Sequence, residues 1–502
     1  MTMNAAQTLL QAGAAQATAL ECGSETVTYD ALRERVRRAA GAWRGLGLRP
    51  GERVIVTAPD SIDWVVAYLG VIWAGGVVIG VNPRLALTEL APILLESEVR
   101  FVWCEADSVN SLAPLLAGMA QAPTLVVSST GDSNWARELD LAPEVDPVQQ
   151  DEQAPALWIG TSGTTGVSKG VIHAQRMALQ PHSFACGVLQ LTAADRLYAS
   201  SKLFFAYALG NSLLAGLRAG AAVILDRHWP DPERVLAVVR AHRPTLVFCV
   251  PTLYSKVLQD GMAHQLAGQG IRHFVSAGES LPASVRQGWR AATGGAIVSG
   301  YGTSETLCLM LYSEDDDGLL RTTPQTQLRF APDADPERPQ RIWLRSGAVA
   351  LGYWKRPQAQ ADGFQDGWYC PGDMFLRRED DRLEFAGRID DMLKISGRWV
   401  STLWVEQALA SATGSRVSQL ACVGVLTAEG LTALALLAVA APGQRELAEQ
   451  CVRDAITALP TYRRPLWVHW LDNLPLTATG KLQRSRLVAL HTAALAATER
   501  RA

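Results

Sequence analysis

Residues 161–171 read Thr161-Ser-Gly-Thr-Thr-Gly-Val-Ser-Lys-Gly-Val171. Three glycines, five hydroxyl side chains and one lysine fill these eleven positions, directly after the apolar run Ala154-Pro-Ala-Leu-Trp-Ile-Gly160, which reads as a strand entering a loop. Glycines at 163, 166 and 170 let backbone N–H groups turn inward, the hydroxyls of Thr161, Ser162, Thr164 and Thr165 add neutral donors, and Lys169 adds a point charge. Such a nest suits an oligophosphate. The spacing is not that of the G-x-x-x-x-G-K-[ST] loop, because Lys169 precedes a glycine and the other glycines are spaced differently. A solvated Gly/Ser/Thr linker is the plain alternative, and it leaves the lysine unexplained.

Upstream, elements alternate. A short strand from 27 leads into an amphipathic helix that Thr28 or Asp30 caps and that reaches Trp43. A buried strand over 53–57 precedes a helix from Ser61, so the order is βαβα and implies a parallel sheet. The pattern continues with a strand over 77–81, a helix over 88–96 and strands over 99–104 and 124–128. The polar, acidic stretch 134–153 reads as a surface connection, and the alanine- and glutamine-rich 1–20, a poor secretory signal without a basic n-region, as the first helix.

At 502 residues the chain exceeds a single core, so two or more domains are expected. The net charge of −3, with no basic block or zinc-finger spacing, argues against a nucleic-acid partner. Eight cysteines without a CxxC pair fit free thiols in a reducing cytoplasm, and the eight histidines do not cluster, so no structural metal site is expected. The uncharged stretch 64–81 reaches the length of a membrane span, yet Gly75-Gly76 would interrupt its helix; no span is expected.

Downstream of the loop, a helix is expected from about His173, then strands over 196–199, 219–226, 245–250 and 271–276. The stretch Ser201-Lys-Leu-Phe-Phe-Ala-Tyr-Ala-Leu-Gly-Asn211 mixes aromatics with small residues where a strand hands over to a helix, the place where open α/β sheets bind ligands; ordinary core packing is the alternative. Pro251-Thr-Leu-Tyr254 opens a helix, and Ala277-Gly-Glu-Ser-Leu-Pro282 gives a flat base backbone room. In Tyr301-Gly-Thr-Ser-Glu305 small residues permit close approach and Glu305 suits a hard Mg²⁺, although the same residues fit a helix N-terminus. Asp373, in Cys370-Pro-Gly-Asp373, is a carboxylate on a turn able to accept two hydrogen bonds from a ribose diol, or a plain surface turn. Lys481 sits on a Thr/Gly loop and alone would pass for a surface lysine.

Taken in order, the loop at 161–171, Tyr301-Gly-Thr-Ser-Glu305, Asp373, Phe385-Ala-Gly-Arg-Ile-Asp-Asp-Met-Leu-Lys-Ile-Ser-Gly397 and Leu474-Pro-Leu-Thr-Ala-Thr-Gly-Lys-Leu-Gln-Arg484 resemble the motifs of the adenylate-forming superfamily of acyl-CoA synthetases, luciferases and peptide-synthetase adenylation domains. Ser304 replaces the family's threonine, and Cys370-Pro371 stands where relatives carry Arg-Thr or Arg-Ser. The resemblance implies an α/β fold: a large N-terminal adenylation domain over 1–389, of mixed, mostly parallel sheets with a trimmed β-subdomain around 315–340, and a small mobile α+β lid over 390–502. It implies ATP or AMP contacts from Thr161, Ser162, Gly163, Thr164, Thr165, Gly166, Lys169, Ala277, Gly278, Glu279, Tyr301, Gly302, Thr303, Ser304, Asp373 and Arg388. It also implies Lys169, Glu305 and Lys481 as catalytic groups with Mg²⁺ at Glu305, Asp390 as hinge, and Lys394, Ser396 and Gly397 at the thiol step.

Lys202-Leu-Phe-Phe-Ala-Tyr-Ala-Leu-Gly-Asn211, Pro251-Thr-Leu-Tyr254, Ser276-Ala-Gly-Glu279 and Met392-Leu-Lys-Ile-Ser-Gly-Arg-Trp-Val-Ser401 look much closer to benzoate-CoA and anthranilate-CoA ligases than to fatty-acid enzymes. Phe205, Ala206 and Tyr207, with Ala277 and Gly302, then wall a short flat pocket suited to a ring. Cys308 stands where those ligases commonly carry His. The implied reaction activates an aromatic acid with ATP through an acyl-adenylate and passes it to coenzyme A. The alternatives are an aryl-acid ligase that loads a carrier protein, a medium-chain acyl-CoA synthetase and a non-catalytic homologue. A cytoplasmic monomer or homodimer is expected.

Overall fold

The structure, a computed structural model, describes residues 1–128, 134–161, 169–331, 338–395, 398–427, 430–475 and 482–499. It divides into two compact units, 1–329 with 343–370, and 330–342 with 371–502.

Two large sheets build the first unit. In one, Pro155–Thr161, Val77–Gly80, Arg53–Thr57, Phe101–Glu105 and Thr124–Ser128 lie side by side in parallel; Lys169–Ala174 and then Gly352–Tyr353 extend it antiparallel beyond Pro155–Thr161. Both faces are covered. Phe101 and Trp103 face the core shared with helices Tyr29–Gly45 and Ile62–Trp73, while Val102 and Cys104 pack with Leu90, Leu94 and Leu112 on the other face. That is why these strands are apolar runs without alternation.

The second sheet runs Ile297–Tyr301, His273–Ser276, Leu246–Cys249, Arg196–Ala199, Ala222–Leu225 and Thr18–Cys22 in parallel, with antiparallel strands at both edges. Arg196–Ala199 has its sequence successor on one side and Leu246–Cys249 on the other, so the strand order reverses there. Arg53–Thr57 is the equivalent point of the first sheet, with Val77–Gly80 and Phe101–Glu105 on opposite sides. Crevices beyond the carboxyl ends of such strands are where open α/β sheets bind ligands.

In the second unit Val417–Leu426 and Thr432–Ala440 form a hairpin joined in parallel by Trp467–Trp470. Helices Thr402–Thr413 and Arg445–Ala458 cover one face through Val405, Leu409 and Val452; Arg484–Glu499 covers the other through Leu487. Arg484 grips Glu406 with two parallel hydrogen bonds of 2.8 Å each and donates to the Cys422 carbonyl at 3.1 Å.

Several expectations are corrected. The first twenty residues are not one helix: Asn4 caps a short helix, Ala5–Leu10, and Thr18–Cys22 is drawn into the second sheet by pairing with Ala222–Leu225. Residues 134–153 include the helix Asn134–Leu141, whose Trp135 is buried against Trp43 with ring centroids 4.7 Å apart. No helix begins at His173. Lys169–Ala174 is a strand because it pairs rung by rung with Pro155–Thr161. Asp373 opens the strand Asp373–Arg377 instead of ending a turn. Two histidines do meet: His469 and His491 hydrogen-bond at 2.8 Å where Trp467–Trp470 and the last helix pack. The stretch 64–81 is divided between the helix Ile62–Trp73 and the strand Val77–Gly80, with Gly75 at φ 84° between them. Among the described residues no helix is long and apolar enough to cross a membrane.

Candidate active site

The hairpin made by Pro155–Thr161 and Lys169–Ala174 places Thr161 opposite Lys169. Ser162, Gly163, Thr164, Thr165 and Gly166 lie outside the described residues, as do Ser396, Gly397 and Lys481. Lys169 lies 5.3 Å from the ring centroid of Tyr353, which is held by the pairing of Val171 with Tyr353. The Tyr353 hydroxyl in turn donates to Glu305 Oε1 at 2.6 Å. The lysine and the carboxylate, far apart in sequence, are therefore joined through one phenol.

Glu305 is 8% exposed, and its carbonyl accepts the Ala350 N–H at 2.8 Å. Beneath it His173, fully buried, donates from Nε2 to the Ser304 carbonyl at 2.8 Å. That acceptor fixes the tautomer, since a carbonyl carries no proton. Nδ1 has no hydrogen-bond partner among the described residues. Burial pushes the imidazole down to about 4, so it is neutral at pH 7 and supports the Ser304-Glu305 backbone as a dipole.

The turn after Tyr301 is tightly packed. Thr303 N–H donates to Thr306 Oγ1 at 3.0 Å, Thr306 Oγ1 donates to the Cys308 carbonyl at 2.9 Å, and Thr303 Oγ1 meets the Tyr369 hydroxyl at 3.3 Å. Leu307 adopts φ 55°, a costly left-handed conformation for a leucine. Any side chain at Gly302 would strike the Cys308 carbonyl, and any at Gly210 would strike that of Leu307. Cys308 is buried, and burial pushes its thiol up to about 12, so it presents a neutral S–H.

Tyr207 reaches from the helical segment after Phe205 to the Val275 carbonyl at 3.0 Å, and its ring stands edge-on to Phe248. Asn211 donates to the Tyr207 carbonyl at 3.0 Å from the π-helix Leu209–Leu214, a form of helix found frequently at functional sites. Ala277 is buried at the end of His273–Ser276, and Gly278, at φ 92°, turns the chain so that Glu279 follows on the sheet's carboxyl edge. Within the first unit Lys169 and Glu305 meet through Tyr353, and Gly302, Thr303 and Cys308 meet in the turn that precedes and follows Glu305, while Ala277 lies at the end of a neighbouring strand. Asp373, Arg388 and Lys394 belong to the second unit. There Asp373 and Arg388 face each other across a hairpin rung, and Lys394 is exposed opposite Trp399. Asp390 lies in the 3₁₀ turn Ile389–Asp391.

Sequence reasoning missed Tyr353 and His173. Tyr353 had one hint, the aromatic pair after Gly352, and no local signal of its partners.

Lys169, Tyr353 and the buried Glu305 meet beside the carboxyl end of Pro155–Thr161, the edge at which open α/β sheets bind ligands in nucleotide-dependent enzymes. The AMP-binding enzyme family matches residues 10–354, and the chain belongs to it. The chain is 36% identical over 508 residues to the 3-hydroxybenzoate–CoA ligase of Aromatoleum sp. (strain CIB), spanning 97% of this chain and 96% of that protein. It is 32% identical over 480 residues to the benzoate–CoA ligase of Thauera aromatica, spanning 92% and 90%. Among solved structures, the anthranilate CoA ligase AuaEII in complex with anthranoyl-AMP superposes with a TM-score of 0.89 at 27% identity, covering 97% of each chain.

Proposed function

We propose that the protein is an AMP-forming aryl-acid–CoA ligase. The observation that carries this reading is the nearly full-length similarity to ligases of 3-hydroxybenzoate and benzoate. In the first step the substrate carboxylate attacks the α-phosphorus of ATP, giving an aryl-adenylate and pyrophosphate. In the second the CoA thiol attacks the acyl carbon and AMP leaves.

Two anions meet in the first step, so catalysis rests on positioning and charge compensation. Lys169 and the 161–166 loop hold the leaving pyrophosphate, and Lys481 bridges the substrate carboxylate and a phosphate oxygen. Glu305 keeps one carboxylate oxygen on Tyr353 and offers the other to the Mg²⁺ that accompanies ATP and screens its phosphates. Asp373 holds the ribose diol and Arg388, on the facing rung, its nucleotide. Phe205, Ala206, Tyr207, Ala277, Gly302 and Cys308 wall the ring. For the second step the lid, 390–502, turns at Asp390 and brings Lys394, Ser396 and Gly397 to the thiol.

Pyrophosphate release with ATP and a panel of benzoates, aminobenzoates, hydroxybenzoates, cinnamates and medium-chain fatty acids, each with and without CoA, tests this. Multiple turnovers with an aryl acid and CoA are expected. Turnover stopping near one equivalent despite CoA would favour a carrier-protein acceptor, and activity on fatty acids alone would sink the aryl pocket.

A further inference from the structure

In the first unit the carboxyl ends of the two sheets are tied together by two consecutive residues. Lys202 is 4% exposed, and its ammonium donates to the carbonyls of Asp226 at 2.6 Å and His228 at 2.5 Å, the turn that follows Ala222–Leu225 in the second sheet. The N–H of Leu203 donates to both carboxylate oxygens of Asp60, at 3.1 and 3.3 Å, in the loop after Arg53–Thr57 of the first sheet. Asp60 follows Arg53–Thr57, and Lys202 and Leu203 themselves follow Arg196–Ala199, the two strands at which the sheets reverse their order.

Asp60 and Asp226 are as buried as the lysine, and Arg234 forks onto Asp226 at 2.9 and 2.6 Å. Burying an ammonium is costly and immobilises a long side chain, so a wholly apolar set in place of the lysine and its carboxylates would be less costly to stability. Burial draws the Lys202 ammonium down, opposed by Asp60, and pushes Asp60 up to about 7.

The proposed pocket wall starts at the next residues. Phe204 backs onto Gly80, where an added Cβ would come within 3.2 Å of the Phe204 backbone, and its ring packs 4.5 Å from that of Phe205. Phe205 N–H donates to the Lys202 carbonyl at 2.9 Å, so a shift at 202 passes directly into the wall. We infer that Lys202 is a positioning residue for substrate selection: its hold on the 226–228 turn, next to the Leu203 bond to Asp60, sets where Phe205, Ala206 and Tyr207 stand and hence the depth of the acid pocket. The inference rests on the aryl-acid reading above.

Pyrophosphate release by the full chain tests it, comparing wild type, Lys202→Met and Lys202→Met/Asp60→Asn, with acid varied at saturating ATP, ATP varied at saturating acid, and melting followed alongside. Lys202→Met is expected to raise the aryl-acid KM by about tenfold or more while moving the ATP KM by less than about twofold, and to let bulkier acids compete. The double variant removes the unpaired buried carboxylate; it is expected to recover melting temperature yet keep the raised acid KM. If it restores both, Lys202 only balances a buried charge and the inference is overturned. It is equally overturned if acid and ATP KM rise together or neither moves. Should Lys202→Met alone not fold, the double variant carries the comparison. Wild type inactive on every aryl acid refutes the aryl-acid reading, and the inference with it; wild type active with an unchanged variant refutes the positioning role alone.

Discussion

The Tyr353 hydroxyl donates to Glu305 at 2.6 Å while the same ring lies beneath Lys169, so one phenol orients the carboxylate and contacts the cation. Tyr353→Phe keeps the ring and removes the bond. A hydrogen bond to a charged group contributes about 1.5–3 kcal/mol, so kcat/KM for pyrophosphate release should fall about 10- to 150-fold, with the unfolding free energy lowered by no more than about 3 kcal/mol. A variant within about twofold of wild type would show that Glu305 needs no such orientation.

Cys308 is predicted to be chemically silent. With its buried thiol pushed up to about 12, iodoacetamide at pH 8 should leave it unlabelled in the folded enzyme. Cys308→His should change the ranking among substituted benzoates while the ATP KM stays within about twofold. An unchanged ranking would remove Cys308 from the pocket wall.

His173 gives stability a pH dependence. Its ordinary value of 6.5 falls to about 4 in the folded protein through burial. Below 6.5 the unfolded chain takes up a proton that the folded state refuses. The contribution is therefore present above 6.5 and lost as pH falls toward 4, by about 3 kcal/mol at most. Urea midpoints at pH 7 and 4.5 should drop further for wild type than for His173→Gln. Equal drops would place the acid sensitivity elsewhere.

The Arg484–Glu406 pair should be strongly non-additive. Burial raises the Glu406 carboxyl and Arg484 opposes this, so Arg484→Met strands a carboxylate and should cost about 3 kcal/mol. Arg484→Met/Glu406→Leu should cost less than that single change. Urea unfolding of the four proteins closes the cycle, and additive costs would mean the pair is solvated.

The strands Arg53–Thr57, Thr124–Ser128 and Arg196–Ala199 were legible in the sequence at their bounds, because short apolar runs between turn residues suit strands covered on both faces. Helix Pro251–Gln259 was announced by its leading proline. Lys169–Ala174 was not, since Gly-Val-Ile-His-Ala fits either period and only pairing with Pro155–Thr161 decides it. The site divides the same way. Glycines, hydroxyls and Glu305 announced themselves as local motifs, whereas Tyr353, His173 and the partners of Lys202 depend on contacts between distant segments that no window of sequence contains.

One contact in the second unit has an optical use. The ring of His491 lies 4.9 Å from that of Trp467 at an interplanar angle of 63°, and His491 shares a hydrogen bond with His469. Burial lowers both imidazoles below their ordinary range. An indole in edge contact with an imidazole senses whether that imidazole is present and charged. In a variant that keeps Trp467 as its single tryptophan, indole emission would therefore report whether the helix Arg484–Glu499, which begins three residues after Lys481, is seated on its sheet.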